Sequence, residues 1–306
     1  MTQEVEVRQL NVTEGCNGKC EDCERYFECD LPLKETFQKK GILSLIRKNL
    51  EGVKYKITVL GGKGGVGKSM LSVNLAAALT KRGRKVAILD QVYDCPAIPL
   101  MLGVPEGATL QIGEHGFIPY QSKWNIKVIS TGLILDPDEV IIWFHDMKRN
   151  ATEELLASVD YSDVDYLICD IPTGTSSETV NILKYLPDIS GALVTTVPSG
   201  VSQNVARKCL YILSKAGVPI IGVVENMSDT KCPNCGTPVS IISSGAGEGM
   251  SVEEGVPFLG KVPLSRIVSE TLDDGEPFVI KYPDSEEAKV LEHVTDAVIK
   301  QCEQAS

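Results

Sequence analysis

The sequence lacks an apolar run long enough to cross a bilayer, and its first residues, MTQEVEVRQL, contain no apolar stretch typical of a secretory signal. It also lacks an excess of positive charge, since 30 Lys and Arg against 41 Asp and Glu give a net charge of −11. Nucleic acids and anionic membrane surfaces prefer basic partners. We therefore expect a cytoplasmic protein that binds neither nucleic acid nor membrane.

Internal repeats and low-complexity segments are absent too, and a hydrophobic content of 43% excludes the disordered and fibrous classes. Residues 1–52 differ from the rest in being polar and cysteine-bearing, with one short apolar stretch, GILSLIRKNL. We predict that these residues form a small N-terminal extension ending in a linker helix. Residues 53–306 are then the main domain.

The main domain alternates short β-branched runs with helical periods. The predicted strands are KITVL, KVAIL, IKVIS, DYLICD, ALVTTV, PIIGVV and FLGKV. The predicted helices are Ser69–Lys81, Val140–Val159, Ser176–Tyr185, Val201–Lys215 and a last helix that begins at Asp284, with Glu287 completing a capping box. Strands buried on both faces and separated by helices indicate an α/β fold, a mostly parallel sheet with helices on both faces.

Ten cysteines are many for a chain without a secretory signal, which favours metal binding or catalysis over a disulfide framework. Six of them fall into two groups, an N-terminal set and a CxxC pair: Cys16, Cys20, Cys23 and Cys29, then Cys232 and Cys235. The others lie in apolar or helical surroundings typical of buried, unreactive thiols: Cys95, Cys169, Cys209 and Cys302.

The segment GGKGGVGKS, from Gly61 to Ser69, follows a predicted strand and opens a predicted helix, which is the context of a phosphate-binding P-loop. Its glycines let backbone N–H groups converge on phosphate oxygens, and the helix N-terminus adds its positive dipole end. We expect a solvated Lys68 to reach the β- and γ-phosphates of ATP and Ser69 to ligate Mg²⁺. The predicted ATP-binding residues of the loop are Gly62, Lys63, Gly64, Gly65, Val66, Gly67, Lys68, Ser69 and Met70.

Asp170 ends the strand DYLICD and is followed by IPTGT. An acid at the carboxyl end of a strand beside a P-loop is placed to hold Mg²⁺, usually through water. Gly174 then has its amide available for the γ-phosphate, which makes residues 170–175 a nucleotide-sensing switch. A plain strand-ending turn is the alternative.

Lys63 lies early in the same loop and makes the motif resemble the deviant Walker A form of P-loop ATPases that work as face-to-face dimers. In that group the extra lysine reaches across the interface to the partner's phosphates. The resemblance therefore implies a homodimer, and a solvated loop lysine is the alternative.

From about Lys54 to the C-terminus the chain resembles the Mrp/ApbC family of iron–sulfur carrier ATPases, including its Nbp-type members with N-terminal cysteines. The motifs that carry the resemblance are GGKGGVGKS, CPAIPLMLG, VIIWFHDMKRNA, DYLICDIPTGTS, VVENMS, CPNCG and GVPFLGKVPLS. The family implies that Asn226 binds the adenine ring. It also implies that Cys232 and Cys235 share a [4Fe–4S] cluster with the same pair of a dimer mate, and that apo iron–sulfur proteins receive the cluster.

The chemistry of the CxxC pair agrees with a shared cluster. Two thiolates cannot satisfy a cluster that needs four ligands, so Cys232 and Cys235 require two more, which a two-fold axis supplies from the same motif. Half of a structural zinc site and a redox-active dithiol are the alternatives, in that order.

The N-terminal set offers four thiolates in one short segment, enough for a second [4Fe–4S] cluster held by one chain, with zinc as the alternative. Cys20, Cys23 and Cys29 match the Cys-x2-Cys-x5-Cys end of the Nbp-type motif. Cys16 departs from it, because that family usually places its first cysteine much further upstream.

The second predicted strand ends in Asp90-Gln91-Val92, where the family normally has Asp-x-Asp. In the family the second acid helps to position the attacking water, and Val92 occupies that place here. Either Asp94, the nearest carboxylate, has taken over this role, or ATP turnover is slow. The predicted catalytic residues are Lys63, Lys68, Asp90, Asp94 and Asp170.

The leading hypothesis is a homodimeric ATPase that carries or scaffolds [4Fe–4S] clusters, with the nucleotide state altering the dimer interface that holds the cluster. One rival is a reductase resembling the nitrogenase iron protein, in which ATP hydrolysis gates electron transfer. Another is a positioning ATPase like MinD or ParA, which needs a membrane-binding tail or a basic DNA-binding surface. This acidic chain has neither.

Overall fold

The structure is a computed structural model that describes residues 20, 23, 25–30, 34, 41–114, 116–135, 142–231, 235–239 and 245–304. Two of the predicted cluster ligands, Cys16 and Cys232, lie outside the described residues.

The strands and helices of these ranges alternate along the chain as predicted. The strands are β1 (Tyr55–Gly61), β2 (Val86–Asp90), β3 (Gln111–Gly113), β4 (Gly116–Ile118), β5 (Tyr120–Gln121), β6 (Ile126–Ile129), β7 (Tyr166–Asp170), β8 (Gly191–Thr196), β9 (Ile220–Ser228), β10 (Thr230–Lys231), β11 (Pro238–Val239) and β12 (Phe258–Pro263). The α-helices are α1 (Ile42–Asn49), α2 (Lys68–Lys81), α3 (Ile98–Met101), α4 (His145–Ala157), α5 (Ser177–Tyr185), α6 (Gly200–Lys215), α7 (Ala246–Glu254), α8 (Arg266–Asp273), α9 (Phe278–Lys281) and α10 (Glu286–Glu303). Short 3₁₀ helices lie at Tyr26–Glu28 and Thr131–Leu133.

One large sheet organises the main domain. Its described strands follow the order β12-β9-β8-β1-β7-β2-β6-β5, and all neighbours are parallel except β5 and β6. The pairs β3–β4 and β10–β11 are separate antiparallel hairpins. All seven predicted strands belong to the large sheet, so the predicted fold class is confirmed.

Side chains of the central strands alternate between two hydrophobic cores, because successive residues of a strand point to opposite faces. In β1, Ile57 and Val59 join the core beneath α2, α8, α9 and α10, whereas Leu60 joins the core beneath α1, α4, α5 and α6. Both faces of the sheet are therefore covered by helices, as a parallel sheet requires.

Prediction and structure differ at several boundaries. The antiparallel edge strand β5 has only two residues, too few for a periodic signal. The last helix does not begin at Asp284 with a Glu287 capping box, since the Ser285 hydroxyl caps it by accepting the Ala288 amide at 3.1 Å. The helix predicted to start at Val140 begins at His145.

The P-loop helix α2 is fixed in place by Asn74, which is fully buried. Its Nδ2 donates to the Met70 carbonyl at 2.8 Å, and its Oδ1 accepts the Val279 amide at the start of α9 at 3.0 Å. A side chain at the middle of α2 thus satisfies a backbone donor of a helix 205 residues further along the chain.

Asn74→Ala is expected to lower the free energy of unfolding by about 2 kcal/mol, because the Val279 amide is left buried without an acceptor. Urea denaturation of the variant against the parent measures this. The control is Asn204→Ala, at an exposed position of α6, with an expected change under about 0.5 kcal/mol. Equal losses in the two variants would contradict the anchoring role.

Candidate functional site

The candidate site lies where the carboxyl ends of β1, β2 and β7 meet. Strand register places Asp170 beside Val59 on one side and beside Asp90 on the other. The glycine-rich loop leaves β1 at this edge and enters α2 directly. The sheet therefore brings both predicted acids to the P-loop.

The loop closes on α2 through Gly67, which has φ +93° and is the N-cap of the helix. A Cβ at this position would lie 2.1 Å from Nδ2 of Asn226. That amide donates to the Val66 carbonyl at 3.0 Å. Glycine is therefore required at position 67 both by its backbone conformation and by the approach of β9, and Asn226 lies against the loop. Its predicted contact with adenine stays a prediction.

Lys68 is buried, with 8% of its surface exposed, so the expectation of a solvated lysine is wrong. Its stem passes beside Gly61, where a Cβ would lie 2.8 Å from Lys68 Cγ. Burial lowers the pKa of Lys68, and the charge of Asp170 acts in the opposite direction. The sequence pattern shows that this lysine opens a helix but not that its stem packs beneath the loop.

The rest of the loop divides into buried and exposed parts. Gly62 packs on α6, since a Cβ there would lie 2.5 Å from the Ala206 amide nitrogen. Val66 and Met70 are buried. The residues exposed to solvent are Lys63, Gly64 and Gly65. Lys63 is thus on the outer surface of the loop, where a second molecule has access to it.

Asp170 is fully buried and accepts two hydrogen bonds from α2. Ser69 Oγ donates to Oδ2 at 2.5 Å and Ser72 Oγ donates to Oδ1 at 2.8 Å. Burial raises the pKa of Asp170, and the Ser69 hydroxyl, the charge of Lys68 and the Ser72 hydroxyl oppose that rise. Hydroxyl and carboxylate oxygens are the ligands that Mg²⁺ prefers, so Ser69 and Asp170 fit this ion.

Asp90, at the end of the neighbouring strand, is also buried. Its oxygens accept the Val92 amide at 3.0 Å and the Ser130 hydroxyl at 3.1 Å. Burial, with a contribution from the charge of Asp170, raises the pKa of Asp90 to about 7. A carboxyl group that titrates near neutral pH therefore lies beside the predicted magnesium ligand.

The predicted switch touches the P-loop through its backbone. The Gly174 amide donates to the Gly61 carbonyl at 2.9 Å, and Thr179 Oγ1 donates to the Gly174 carbonyl at 3.0 Å. The amide predicted to bind the γ-phosphate is thus engaged within the protein. It has to leave Gly61 before it can meet a phosphate.

Asp94 has its side chain about half exposed and pairs with Lys148 at 2.6 Å. The same Lys148 ammonium contacts Glu178 of α5 at 2.8 Å. The sequence motifs did not predict a role for Lys148 or Glu178. Lys148 lies in the motif VIIWFHDMKRNA, which carried the family resemblance without any assignment to its residues.

The CxxC motif lies between the two strands of a small hairpin. Strands β10 and β11 pair with Thr230 opposite Val239, and Cys235 is exposed on the connecting segment. Strand β10 follows directly after β9, the strand that carries Asn226. The hairpin therefore continues from a strand that contacts the P-loop.

The described N-terminal cysteines differ in burial: Cys20 is buried, whereas Cys23 and Cys29 are half-buried. Within the part of the chain that the structure describes, no group of three or more His, Cys, Asp or Glu is arranged to hold a metal ion. These three thiols are thus not gathered at one point in this structure.

The N-terminal segment packs against the main domain beside a cavity of about 640 Å³. Lys184 of α5 donates to the Cys23 carbonyl at 3.3 Å, and Lys215 of α6 pairs with Glu28 at 2.8 Å. Tyr26 is buried, and the Lys184 ammonium lies 5.0 Å from the centroid of its ring. The segment therefore contacts the helix that follows the switch.

Three of the four remaining cysteines are buried as predicted: Cys169, Cys209 and Cys302. Burial raises the pKa of Cys209 to about 11 and that of Cys302 to about 12, so these thiols stay protonated at neutral pH. Cys95 is exposed, and its prediction as a buried thiol is wrong. It precedes α3 in a turn, where the apolar residues after it do not cover it.

A glycine loop closing on a helix N-terminus, with a serine hydroxyl and a strand-end acid in contact, defines a P-loop nucleotide-binding protein. The family model described as the NUBPL iron-transfer P-loop NTPase, of the ParA group, matches residues 52–299. The chain belongs to this family, which confirms the resemblance drawn from the motifs.

Curated relatives carry iron–sulfur names. The iron-sulfur cluster carrier protein of Saccharolobus solfataricus is 40% identical over 256 residues, which cover 83% of this chain and 86% of the relative. The cytosolic Fe-S cluster assembly factor NUBP2 of Homo sapiens is 38% identical over 256 residues, covering 82% and 94%.

Solved structures agree with the fold. A nucleotide-binding protein from Archaeoglobus fulgidus, in complex with ADP, superposes with a TM-score of 0.68 at 26% identity, covering 77% of this chain and 92% of that chain. The cell division ATPase MinD of Pyrococcus furiosus gives a TM-score of 0.60 at 24% identity, covering 81% and 99%, and supports the fold alone. Among the described residues, the helices are too short or too polar to cross a membrane.

Asp90→Asn tests the raised pKa of Asp90 through the pH dependence of stability. Because the folded-state pKa of Asp90 is about 7, the folded protein binds a proton between about pH 4 and pH 7 that the unfolded chain has released. The free energy of unfolding of the parent should therefore fall relative to the variant as the pH rises through this window, by roughly 4 kcal/mol at most.

Urea denaturation at several pH values, with a chelator present and without nucleotide, gives the two stability curves. The control is Asp163→Asn, which changes an exposed acid and should leave the pH dependence as in the parent. Parallel curves for the parent and Asp90→Asn would contradict the raised pKa.

Proposed function

We propose that this protein is an ATP-hydrolysing, homodimeric carrier of [4Fe–4S] clusters that delivers them to apo-proteins in the cytoplasm. One observation carries the proposal. The strand whose Asn226 contacts the P-loop at Val66 continues into the hairpin that holds the CxxC motif. A change at the nucleotide site therefore has a short covalent route to the cluster-binding cysteines.

The nucleotide chemistry is assigned to the residues at the carboxyl edge of the sheet. Lys68 neutralises the β- and γ-phosphates from below the loop, and Lys63 reaches the phosphates of a second copy from its exposed position. Ser69 and Asp170 would hold Mg²⁺, which when bound neutralises phosphate charge. Gly174 exchanges the Gly61 carbonyl for the γ-phosphate.

Asp94 is assigned to the attacking water. Val92 has no acceptor group, and orienting a water molecule requires one. Lys148 contacts Oδ2 of Asp94, and about half of the Asp94 side chain is exposed, so water has access to the carboxylate as an acceptor.

The cluster is cargo held by cysteines of two chains. Cys235 is exposed on its hairpin, where a two-fold axis can bring four thiolates together from two copies of the CxxC motif with Cys232. The relatives named as iron–sulfur carriers and assembly factors support iron over zinc at this place.

We assign a second cluster to the N-terminal extension, residues 1–52, which precedes the main domain, residues 53–306. The ligands would be the four cysteines of the N-terminal set: Cys16, Cys20, Cys23 and Cys29. Because the described three are not gathered in this structure, the segment has to rearrange when a cluster binds.

Lys68→Met is expected to weaken ATP binding by about 100-fold, because it removes charge-assisted hydrogen bonds to phosphate while keeping the buried stem. Lys63→Ala is expected to change ATP affinity by less than about threefold and to impair hydrolysis or nucleotide-driven dimer closure. Titration with a fluorescent ATP analogue, a phosphate-release assay and sedimentation measure the three effects. Unchanged affinity in Lys68→Met, or parental hydrolysis in Lys63→Ala, would refute the respective role.

Cys232→Ala with Cys235→Ala is expected to remove about one cluster per dimer and to weaken cluster-dependent dimerisation, while N-terminal iron remains. Cys20→Ala with Cys23→Ala should do the reverse, because the two sites draw on different segments. Anaerobic purification with iron and sulfide analysis, beside sedimentation, measures both.

The matched control is Cys95→Ala, which removes an exposed cysteine outside both groups and should keep all iron. Full iron and unchanged dimerisation in the 232/235 variant would mean that no bridging cluster exists. Zinc in place of iron under anaerobic conditions would make the site structural and remove the main support for a carrier.

A further inference from the structure

One half-buried ammonium group joins the two loops that flank the phosphate site. Lys148 of α4 contacts Asp94, in the loop of residues 91–97 after β2, at 2.6 Å. It also contacts Glu178, in the first turn of α5, at 2.8 Å. Three elements distant in the sequence thus meet at a single cation.

This ion pair is protected from solvent on one side. The side chain of Lys148 is 15% exposed and that of Glu178 is 8% exposed, against 54% for Asp94. Burial alone would raise the pKa of Glu178, but hydrogen bonds from Lys148, from a backbone amide and from the Ser177 hydroxyl bring it below its usual value. Since exposed ion pairs contribute little and buried ones fix geometry, the Glu178 contact holds Lys148 in place.

A second set of contacts fastens α4 to the same loop. Tyr93 Oη donates to Gln91 Oε1 at 2.6 Å and lies 2.8 Å from Thr152 Oγ1. Thr152 Oγ1 in turn donates to the Lys148 backbone carbonyl at 3.0 Å. The backbone N–H of Gln91 donates to the backbone carbonyl of Asp170 at 2.9 Å. The loop is therefore anchored at its start, and further along it the Asp94 carboxylate contacts Lys148.

On the other side, the first turn of α5 is tied to the switch. Ser176 caps the helix, Thr179 Oγ1 donates to the Gly174 carbonyl, and the Gly174 amide donates to Gly61 of the P-loop. Glu178 lies within this turn. Hydrogen bonds therefore connect the Gly174 backbone to the helix turn that carries the carboxylate in contact with Lys148.

We propose that Lys148 is a positioning residue that fixes the carboxylate of Asp94 and couples the loop of residues 91–97 to the switch of residues 170–175. Phosphate binding at one loop then repositions the other. The effect on hydrolysis rests on the proposed function, because it acts through Asp94 and water, whereas the coupling of the two loops does not.

The first test is a double-mutant cycle on ATP hydrolysis. Lys148→Met and Asp94→Asn are each expected to lower kcat about tenfold with KM changed less than about twofold, and the double variant should be no slower than Asp94→Asn. Lys148→Arg, which keeps the charge, should restore most of the rate. Multiplying effects in the double variant, or a parental rate in Lys148→Met, would overturn the proposal.

The second test needs no hydrolysis. Hydrogen exchange is followed by mass spectrometry with and without a non-hydrolysable ATP analogue and Mg²⁺. In the parent, the analogue should protect residues 91–97 and 174–180 together. In Lys148→Met and in Glu178→Gln, protection should persist at residues 174–180 and disappear at residues 91–97.

The matched control is Glu154→Gln, which removes an exposed charge from the same helix α4. In this variant the ATP analogue should protect both segments as it does in the parent. If Lys148→Met fails to fold, the variant Lys148→Met with Glu178→Gln, which removes both charges, takes its place.

Joint protection of both segments in the Lys148 variants would disprove the coupling. If the variants lose protection at residues 91–97 but the parent does not hydrolyse ATP, the coupling of the two loops stands and the proposed ATPase function is refuted. The two failures are therefore distinguishable.

Discussion

The structure depends on one buried carboxylate. Asp170 ends the central strand β7, and each of its oxygens accepts a hydroxyl from α2, at 2.5 Å from Ser69 and 2.8 Å from Ser72. Burial disfavours the charged form of Asp170, whereas these two donors and the nearby Lys68 ammonium favour it. The contact joins the P-loop helix to the central strand of the sheet, and so places the glycine-rich loop at the carboxyl ends of the strands.

Two backbone contacts extend this constraint outward. The Gly61 carbonyl accepts the Gly174 amide, and the Val66 carbonyl accepts the side-chain amide of Asn226. The first brings the switch to the loop, and the second brings the strand that leads to the CxxC hairpin. Both use acceptors of the loop itself, so a phosphate that reorders the loop changes both contacts. Such a shared element is what coupling between two sites requires.

The sequence predicted what local pattern determines. Strands buried on both faces, helices between them and the glycine loop all have a signal within about ten residues. It did not predict features set by distant neighbours: the burial of Lys68 beside β1, the exposure of Cys95, and the meeting of Asp94, Lys148 and Glu178, which are 54 and 30 residues apart along the chain. The predicted start of α10 was wrong for a local reason. Asp284 and Ser285 are adjacent and both residue types can cap a helix, and in the structure Ser285 is the cap.

The charge balance of the site bears on the proposed dimer. Among the described residues, the buried charged groups beside the P-loop include the carboxyls of Asp90 and Asp170 and the ammonium of Lys68. Asp90 has a pKa of about 7 and so keeps a proton part of the time, which limits the repulsion between the acids.

A bound triphosphate would add negative charge to this site, where the ammonium of Lys68 already interacts with Asp170. Binding therefore requires positive charge from outside this group, and the proposed Mg²⁺ on Ser69 and Asp170 would supply one part. Lys63 is exposed at the outer surface of the loop, so its ammonium is free to serve the phosphates of a second copy. In the dimer proposed above, Lys63 of each copy would supply the remaining positive charge to its partner's site.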